Sequence, residues 1–498
     1  MGAPMEQGLG GLIGRFAGLR VLVVGDAMLD SYLDGRAERL CREAPVPVVT
    51  VRSRADQPGG AANTAANLAA LGAEVALLAV VGDDADGAVL RHALRAGGVG
   101  DELLVVDEGR ATLAKSRLSA ASHLLVRFDQ GDTGGLGRAA EARVIDRLSH
   151  LYGQCDALVI SDYAYGLLTP AVIRAVAALN AADPRVVVAD SKRLRAYKAV
   201  GLTAVKPNYA EAVRLLGPRL PEGSDGRVAA VAAHGAGLLE ALNTRVAAIT
   251  MDQEGTLVFD RDGPPYRTYA VPQPDSRAAG AGDTYVSALA LALAAGGSTH
   301  EAAELAAAAA AVVVGRDGTA VCRADELREH VAAPGKLCAS RERLAERVAA
   351  WRQVGRRVVF ANGCFDILHR GHVTLLNRAK AMGDVLVVGV NDDAGVRRLK
   401  GPGRPVNGLE DRVQVLSALS SVDCLAVFAE ETPAALIELV RPDVFVKGGD
   451  YTRERLPEAE LVERLGGRVA FVPTVADCST SGVIARIREP PRARAVGE

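Results

Sequence analysis

Two short stretches carry residue types that could handle phosphoryl groups. The first is GAGD, Gly280 to Asp283, at the head of the apolar run TYVSALALALAAGG. Small residues at Gly280, Ala281 and Gly282 leave backbone N–H groups open to a ligand. The helix that this run predicts adds partial positive charge at its N-terminus. Together they would form an anion hole for a phosphoryl group in transit. Asp283 stands at that end, placed to take a proton from an attacking hydroxyl. An Asp at a helix start is also an ordinary N-cap. The second stretch is NGCFDILHRGH, with His369 and His372 three apart. On a helical turn both face the same way. Their N–H donors, beside a helix N-terminus, could stabilise charge building on a phosphate. A solvated helix start is the ordinary alternative. No metal site is expected, because no third ligand stands nearby at a metal spacing.

Both stretches need rigid elements behind them. RVLVVGDAMLD opens with a buried-type strand and turns at Gly25-Asp26, and ALVISDY, RVVVADSK and VAAITMD are similar runs. Ala-rich helical patterns separate them, which predicts an α/β domain with a mainly parallel sheet. A charged stretch broken by Pro334-Gly335 follows. A second series then begins: RRVVFANG, DVLVVGVND, CLAVFAE, DVFVKGGD and RVAFVPT. Five short apolar strands between helical stretches predict a smaller doubly wound, Rossmann-like domain. The expected boundaries are 1–333 for the first domain, 334–356 for a linker and leading helix, 357–488 for the second domain, and 489–498 for a disordered tail.

Bulk properties narrow the function. The chain has 498 residues and a net charge of −2. Nucleic acid is therefore not an expected partner. No signal peptide and no bilayer-spanning run are expected, so a membrane is not a partner either. Seven scattered cysteines without a CxxC pair fit a reducing cytoplasm better than a disulfide frame.

In GGAANTAANLAALG, Gly59 and Gly60 permit close backbone approach and Asn63 offers both a donor and an acceptor. A turn entering an Ala-rich helix is the equally open reading of that stretch. Taken with GAGD, however, it resembles the paired motifs of the ribokinase-like (PfkB) sugar kinases. The resemblance covers residues 18 to 321. It implies that Asp283 is the catalytic base and that the 280–282 backbone is the anion hole. It also implies that Asp26 and Asp30 bind sugar hydroxyls with Gly59, Gly60 and Asn63, and that NYAE (Asn208, Tyr209, Ala210, Glu211) helps hold Mg2+–ATP. One departure stands out. The family usually has Asp-x-Thr ahead of GAGD, and this chain has Arg277-Ala278-Ala279. In relatives this neighbourhood often helps bind a monovalent cation. Here Arg277 could supply a fixed cation, or the kinase could be slow.

The second stretch resembles the HxGH motif of the cytidylyltransferase-like nucleotidyltransferases, over residues 357 to 488. That resemblance implies attack on the α-phosphate of a nucleotide and release of pyrophosphate. It assigns nucleotide binding to Gly363, Phe365, Asp366, Lys400, Arg412, Lys447, Asp450 and the turn Ser479, Thr480 and Ser481. For that turn alone a plain N-cap is the simpler reading.

The order of the two domains, with EAPVPVV, LVRFD, SDYAYGLL, RLKGPGRPVN and KGGDY, resembles the family of fused heptose 7-phosphate kinases and heptose 1-phosphate adenylyltransferases. The resemblance implies two ATP-dependent steps on sugar phosphates, with a separate bisphosphate phosphatase between them, and a homodimer formed through the kinase domain. A sugar phosphate requires a cationic pocket. Lys115, Arg117 and Arg127 are the candidates, with solvated surface as the ordinary alternative. Another sugar phosphate, CTP in place of ATP, or a silent kinase-like module ahead of an active transferase remain open from sequence.

Overall fold

Continuous apolar runs become strands covered on both faces, as parallel sheets require. The computed structural model describes residues 9–120, 123–217, 226–270, 278–316, 318–332, 336–338, 340–449 and 453–473. The chain splits into two compact units, Met1–His330 and Val331–Glu498. Among the described residues no helix is long and apolar enough to cross a membrane.

The two larger sheets of the first unit are built from β1 (Arg20–Gly25), β2 (Ala27–Leu40), β3 (Pro47–Gly60), β4 (Glu74–Leu78), β5 (Ala114–Ala120), β6 (His123–Gln130), β7 (Ala157–Asp162), β8 (Val186–Ser191), β9 (Ala204–Val205), β10 (Val246–Thr250), β11 (Thr256–Asp260) and β12 (Tyr266–Thr268). Eight of them form one sheet in the order β12-β11-β10-β9-β8-β7-β1-β4. Its six strands from β10 to β4 are parallel, and β11 and β12 add an antiparallel edge. The expectation of a mainly parallel sheet is met.

A second sheet, β3-β2-β5-β6, was not foreseen as a separate layer. Much of β2, β3 and β6 is exposed and interrupted by charged residues, so they lack the buried apolar runs that mark the first sheet. The helices α1 (Ala61–Ala70), α2 (Tyr209–Leu216) and α3 (Ala281–Ala294) present the motif residues. α1 and α3 pack together and are buried along nearly their whole lengths. Alanines on α1 and α3 let the two helices approach closely.

In the second unit α4 (Arg341–Gln353) leads into β13 (Val358–Gly363). There follow α5 (Arg370–Lys380), β14 (Val385–Asn391), α6 (Asp393–Lys400), α7 (Leu409–Ser417), β15 (Cys424–Phe428), β16 (Val444–Gly448) and β17 (Arg468–Val472). The five expected strands form one parallel sheet in the order β15-β14-β13-β16-β17. Strand order reverses at β13, and ligands bind such sheets beyond the carboxyl ends of the strands at that point. Two apolar clusters cover the two faces, one around Phe360 and Phe445, the other around Leu386 and Leu425.

Candidate active sites

In the first unit Gly280 precedes α3 at φ +92, a left-handed conformation that glycine adopts without strain. A Cβ there would lie 2.5 Å from Nδ2 of Asn63. The first N–H groups of a helix have no partner within it, so the turn at 280–283 presents donors. Lys206 comes close enough that a Cβ on Gly282 would meet its Nζ at 3.3 Å.

Asp283 is buried, with 4% of its surface exposed. Its Oδ2 accepts from Asn63 Nδ2 at 2.7 Å and its Oδ1 from the Tyr163 hydroxyl at 2.9 Å. Burial pushes its pKa up to about 6, reinforced by the Asp190 charge and opposed by the Asn63 and Tyr163 hydrogen bonds and by Lys206. A base poised there is charged at neutral pH yet holds a proton readily.

A cavity of about 230 Å³ opens against this carboxylate, lined by Asp190, Lys206, Asn208, Glu211 and Gly282 among others. Lys206 Nζ pairs with Asp190 at 3.0 Å. Burial disfavours its charge, but Asp190, Glu211 and Asp283 together outweigh that and the pKa rises. Asn208 caps α2 in a reciprocal box: its Oδ1 accepts from Glu211 N–H at 2.8 Å, and Glu211 Oε2 accepts from Asn208 N–H at 2.9 Å. Burial raises the Glu211 pKa. Tyr209 and Ala210 form the first turn of that helix, with the Arg227 guanidinium 5.4 Å over the Tyr209 ring. Two carboxylates, Asp190 and Glu211, on one wall fit the oxygen preference of Mg2+.

The sugar-side residues divide. Asp26 is buried and uses both oxygens to hold the backbone at Tyr163, Tyr165 and Leu167, at 2.9 to 3.1 Å. It therefore shapes the loop that carries Tyr163. Asp30 accepts from Arg117 Nη1 at 2.6 Å. A Cβ on Gly59 would fall 2.4 Å from Asp30 Oδ2, and one on Gly60 2.5 Å from the Asp26 carbonyl. Arg127 lies on exposed β6, bonded to Asp129 on its own strand, so Arg117 is the guanidinium that reaches Asp30. Lys115 Nζ lies 5.4 and 5.0 Å from the rings of Tyr163 and Tyr165, and Lys192 Nζ lies 5.6 and 5.3 Å from the same rings. Sequence reading did not single out Tyr163, Asp190, Lys192 or Lys206. SDYAYG and VKPN contain Tyr163 and Lys206, and RVVVADSK contains Asp190 and Lys192, but nothing local tied them to Asp283. Arg277 lies outside the described residues.

In the second unit the switch point carries a cavity of about 640 Å³. Gly363, Phe365, Asp366, His369, His372, Lys400 and Lys447 all line it. The imidazoles stack with centroids 3.8 Å apart, and Phe365 meets His372 edge-on at 5.3 Å. Each Nδ1 is buried without a hydrogen-bond partner. Burial lowers both pKa values, that of His372 to about 4 with His369 contributing. Both rings are thus neutral at pH 7, each with one N–H to donate. Lys447 Nζ donates to Asn362 at 2.9 Å, and burial lowers its pKa. Lys400 lies on the exposed end of α6.

Two residues expected to contact nucleotide have structural work. Asp366 accepts from Val406 and Asn407 N–H at 2.7 and 3.0 Å and from Arg404, which fastens the 404–407 loop to the cavity floor. Arg412 requires a correction. It is fully buried and absent from the cavity wall. Its guanidinium donates to the carbonyls of Cys364, Asn391 and Asn407 and to Asp393 at 2.7 Å. An arginine with all its donors turned inward is a strut. Asp450, Ser479, Thr480 and Ser481 lie outside the described residues.

A sugar-kinase site and a nucleotidyl-transfer site on one chain define a class. Residues 19–326 match the pfkB family of carbohydrate kinases, and residues 360–486 match the cytidylyltransferase-like family. The chain is a bifunctional transferase, a carbohydrate kinase joined to a nucleotidyltransferase, and ATP is a substrate of this class. It belongs to the family of bifunctional HldE proteins. It is 42% identical to the bifunctional protein HldE of Caulobacter vibrioides over 494 residues, 97% of this chain and 100% of that one. It is 40% identical to that of Citrifermentans bemidjiense over 477 residues, 95% and 97% of the two chains. Among solved structures, phosphofructokinase-2 of Escherichia coli in complex with potassium superposes with a TM-score of 0.52 at 20% identity. It covers 62% of this chain and 97% of its own, which establishes the fold of the first unit.

Proposed function

We propose that the two sites act on heptose phosphates in sequence. The first phosphorylates the C1 hydroxyl of D-glycero-D-manno-heptose 7-phosphate with ATP and yields the β-1,7-bisphosphate. A separate phosphatase removes the 7-phosphate. The second transfers AMP from ATP to D-glycero-β-D-manno-heptose 1-phosphate and yields ADP-heptose and pyrophosphate. The product serves lipopolysaccharide core synthesis. The reaction runs in the cytoplasm, where ATP is made.

In the kinase step Asp283 accepts the C1 hydroxyl proton as the oxygen attacks the γ-phosphorus. Asn63 and Tyr163 hold the carboxylate still. The N–H groups at 280–283 and Lys206 face the charge of the transferring group. Asp190 and Glu211 would hold Mg2+, which would supply neutralisation of phosphate charge. In the transfer step a 1-phosphate oxygen attacks the α-phosphorus and pyrophosphate leaves. His369 and His372 donate N–H groups to the developing charge, and Lys400 and Lys447 offer further cations.

The observation that carries the kinase reading is the buried Asp283 carboxylate facing a cavity at a helix N-terminus. Support for a phosphorylated sugar comes from Lys115 and Lys192, two ammonium groups around the Tyr163–Tyr165 pair. Selective variants test the division of labour. Asp283→Asn removes ADP formation from the 7-phosphate and spares pyrophosphate release from the 1-phosphate, while His372→Ala does the reverse. Loss of both activities in either variant contradicts two independent sites. A monovalent cation near 277–279 is the finer part of this reading: kinase activation by potassium supports it, and equal rates without potassium remove it. So is a homodimer through the β3-β2-β5-β6 sheet, whose exposed Val126 and Phe128 lie on one face.

A further inference from the structure

Cys338 and Cys424 are 86 positions apart in sequence, with their Sγ atoms 3.0 Å apart. Neither belongs to either site. The backbone holds them together. Leu337 and Leu425 form a parallel bridge, and Cys338 N–H donates to the Leu425 carbonyl at 2.9 Å. This contact covers the outer side of β15, an edge strand whose other side pairs with β14. Cys424 is fully buried, whereas Cys338 is half-buried and reachable from solvent. Arg347 Nη1 stands 4.0 Å from Cys338 Sγ, its Nη2 donates to the Asp423 carbonyl at 3.2 Å, and its guanidinium lies 5.2 Å over Trp351. A disulfide needs an S–S separation of about 2.05 Å, so closing the bond requires a shift of only about 1 Å.

We propose that Cys338 and Cys424 form a reversible thiol–disulfide pair, oxidised by a low-molecular-weight disulfide such as glutathione disulfide, that staples the start of the second unit to β15. The Cys338 thiolate attacks one sulfur of glutathione disulfide and expels one glutathione thiolate. Cys424 gives up its proton and attacks the Cys338 sulfur, and the second glutathione leaves. The protein loses two electrons and two protons, and the oxidant becomes two molecules of glutathione. The order follows from access, because only Cys338 can meet the oxidant. Burial and the neighbouring Cys338 keep the Cys424 thiol protonated, but contact at 3.0 Å gives it a high effective concentration. The closed loop contains β13, α5, β14, α6 and α7, and so holds both histidines of the transfer site. The staple therefore fixes the ends of a segment that supplies part of the nucleotide cavity, His369 and His372 included.

The test uses the full chain incubated with glutathione disulfide, followed by peptide mass mapping and thermal unfolding. The expected product is a peptide pair joined through Cys338 and Cys424, two hydrogens lighter than the reduced pair. Its unfolding midpoint rises by roughly 5 °C or more, and dithiothreitol reverses both changes. Cys338→Ser abolishes the cross-link and the shift. Cys424→Ala retains a glutathione adduct on Cys338. A wild-type protein that stays unmodified, or keeps an unresolved adduct on Cys338, overturns the proposal. So does a cross-linked protein whose unfolding midpoint does not move.

Discussion

Asn63 donates from Nδ2 to Asp283 Oδ2 at 2.7 Å, joining residues 220 positions apart in one buried hydrogen bond. The bond links α1 to the first turn of α3 and favours the charged form of the base. Replacing Asn63 with Ala removes that preference, so the pKa of Asp283 climbs further from its value of about 6. The kinase rate of Asn63→Ala is predicted to fall most at low pH and to recover partly as pH rises. Rate profiles of the two proteins check this, and parallel profiles exclude the role.

For the unmodified enzyme the sign is fixed by the same group. Asp283 must be deprotonated to accept a proton, and burial has raised its pKa to about 6. Kinase turnover is therefore predicted to climb through that pH and level off above it. Asp283→Asn lowers turnover by roughly 10²- to 10⁴-fold, with KM for ATP little changed. Transient ADP-release kinetics separate chemistry from product release.

Pyrophosphate release should respond differently. Burial holds His372 near 4 and lowers His369 as well. His372 therefore stays neutral between about pH 6 and 9, and the lowered pKa of His369 favours its neutral form at pH 7 and above. The transfer rate is predicted to be flat from neutrality upward. A transfer rate that falls below neutrality in step with imidazole protonation contradicts neutral donors.

Lys115 and Lys192 stand over the same two tyrosines, one of which, Tyr163, donates to the base. Substituting either with Ala is predicted to raise KM for the sugar phosphate roughly tenfold, the worth of one charge-assisted contact, with KM for ATP unchanged. If KM for ATP rises instead, these cations serve the nucleotide.

Arg412 yields a stability prediction. Its buried guanidinium bonds to three carbonyls and to Asp393. Arg412→Met leaves those acceptors without their donor and is predicted to cost about 3 kcal/mol, read as a lower unfolding midpoint for the second unit. Unchanged stability with weakened ATP binding would restore the nucleotide-binding role expected from its position in the sequence.

The two α/β layers were legible because strands such as Val358–Gly363 and Ala157–Asp162 are apolar on both faces. The β3-β2-β5-β6 layer was not, because the second half of Ala27–Leu40 and all of His123–Gln130 are largely exposed and mix charged with apolar residues. Asp283, His369 and His372 stood out because their motifs are local. Tyr163 and Lys206 gain their place only when β7, β9 and α3 meet in space, and no local spacing encodes that. Arg412 misled for a related reason: sequence displays a charge but not the carbonyls that surround it.

The most direct test of the central claim supplies the purified chain with ATP, Mg2+ and D-glycero-D-manno-heptose 7-phosphate, with and without a bisphosphate phosphatase. ADP and pyrophosphate are followed separately. The account predicts ADP in both reactions and pyrophosphate only when the phosphatase is present. Pyrophosphate from supplied heptose 1-phosphate, with no ADP from the 7-phosphate, would contradict it. That result would mean the kinase site is silent or takes a different sugar.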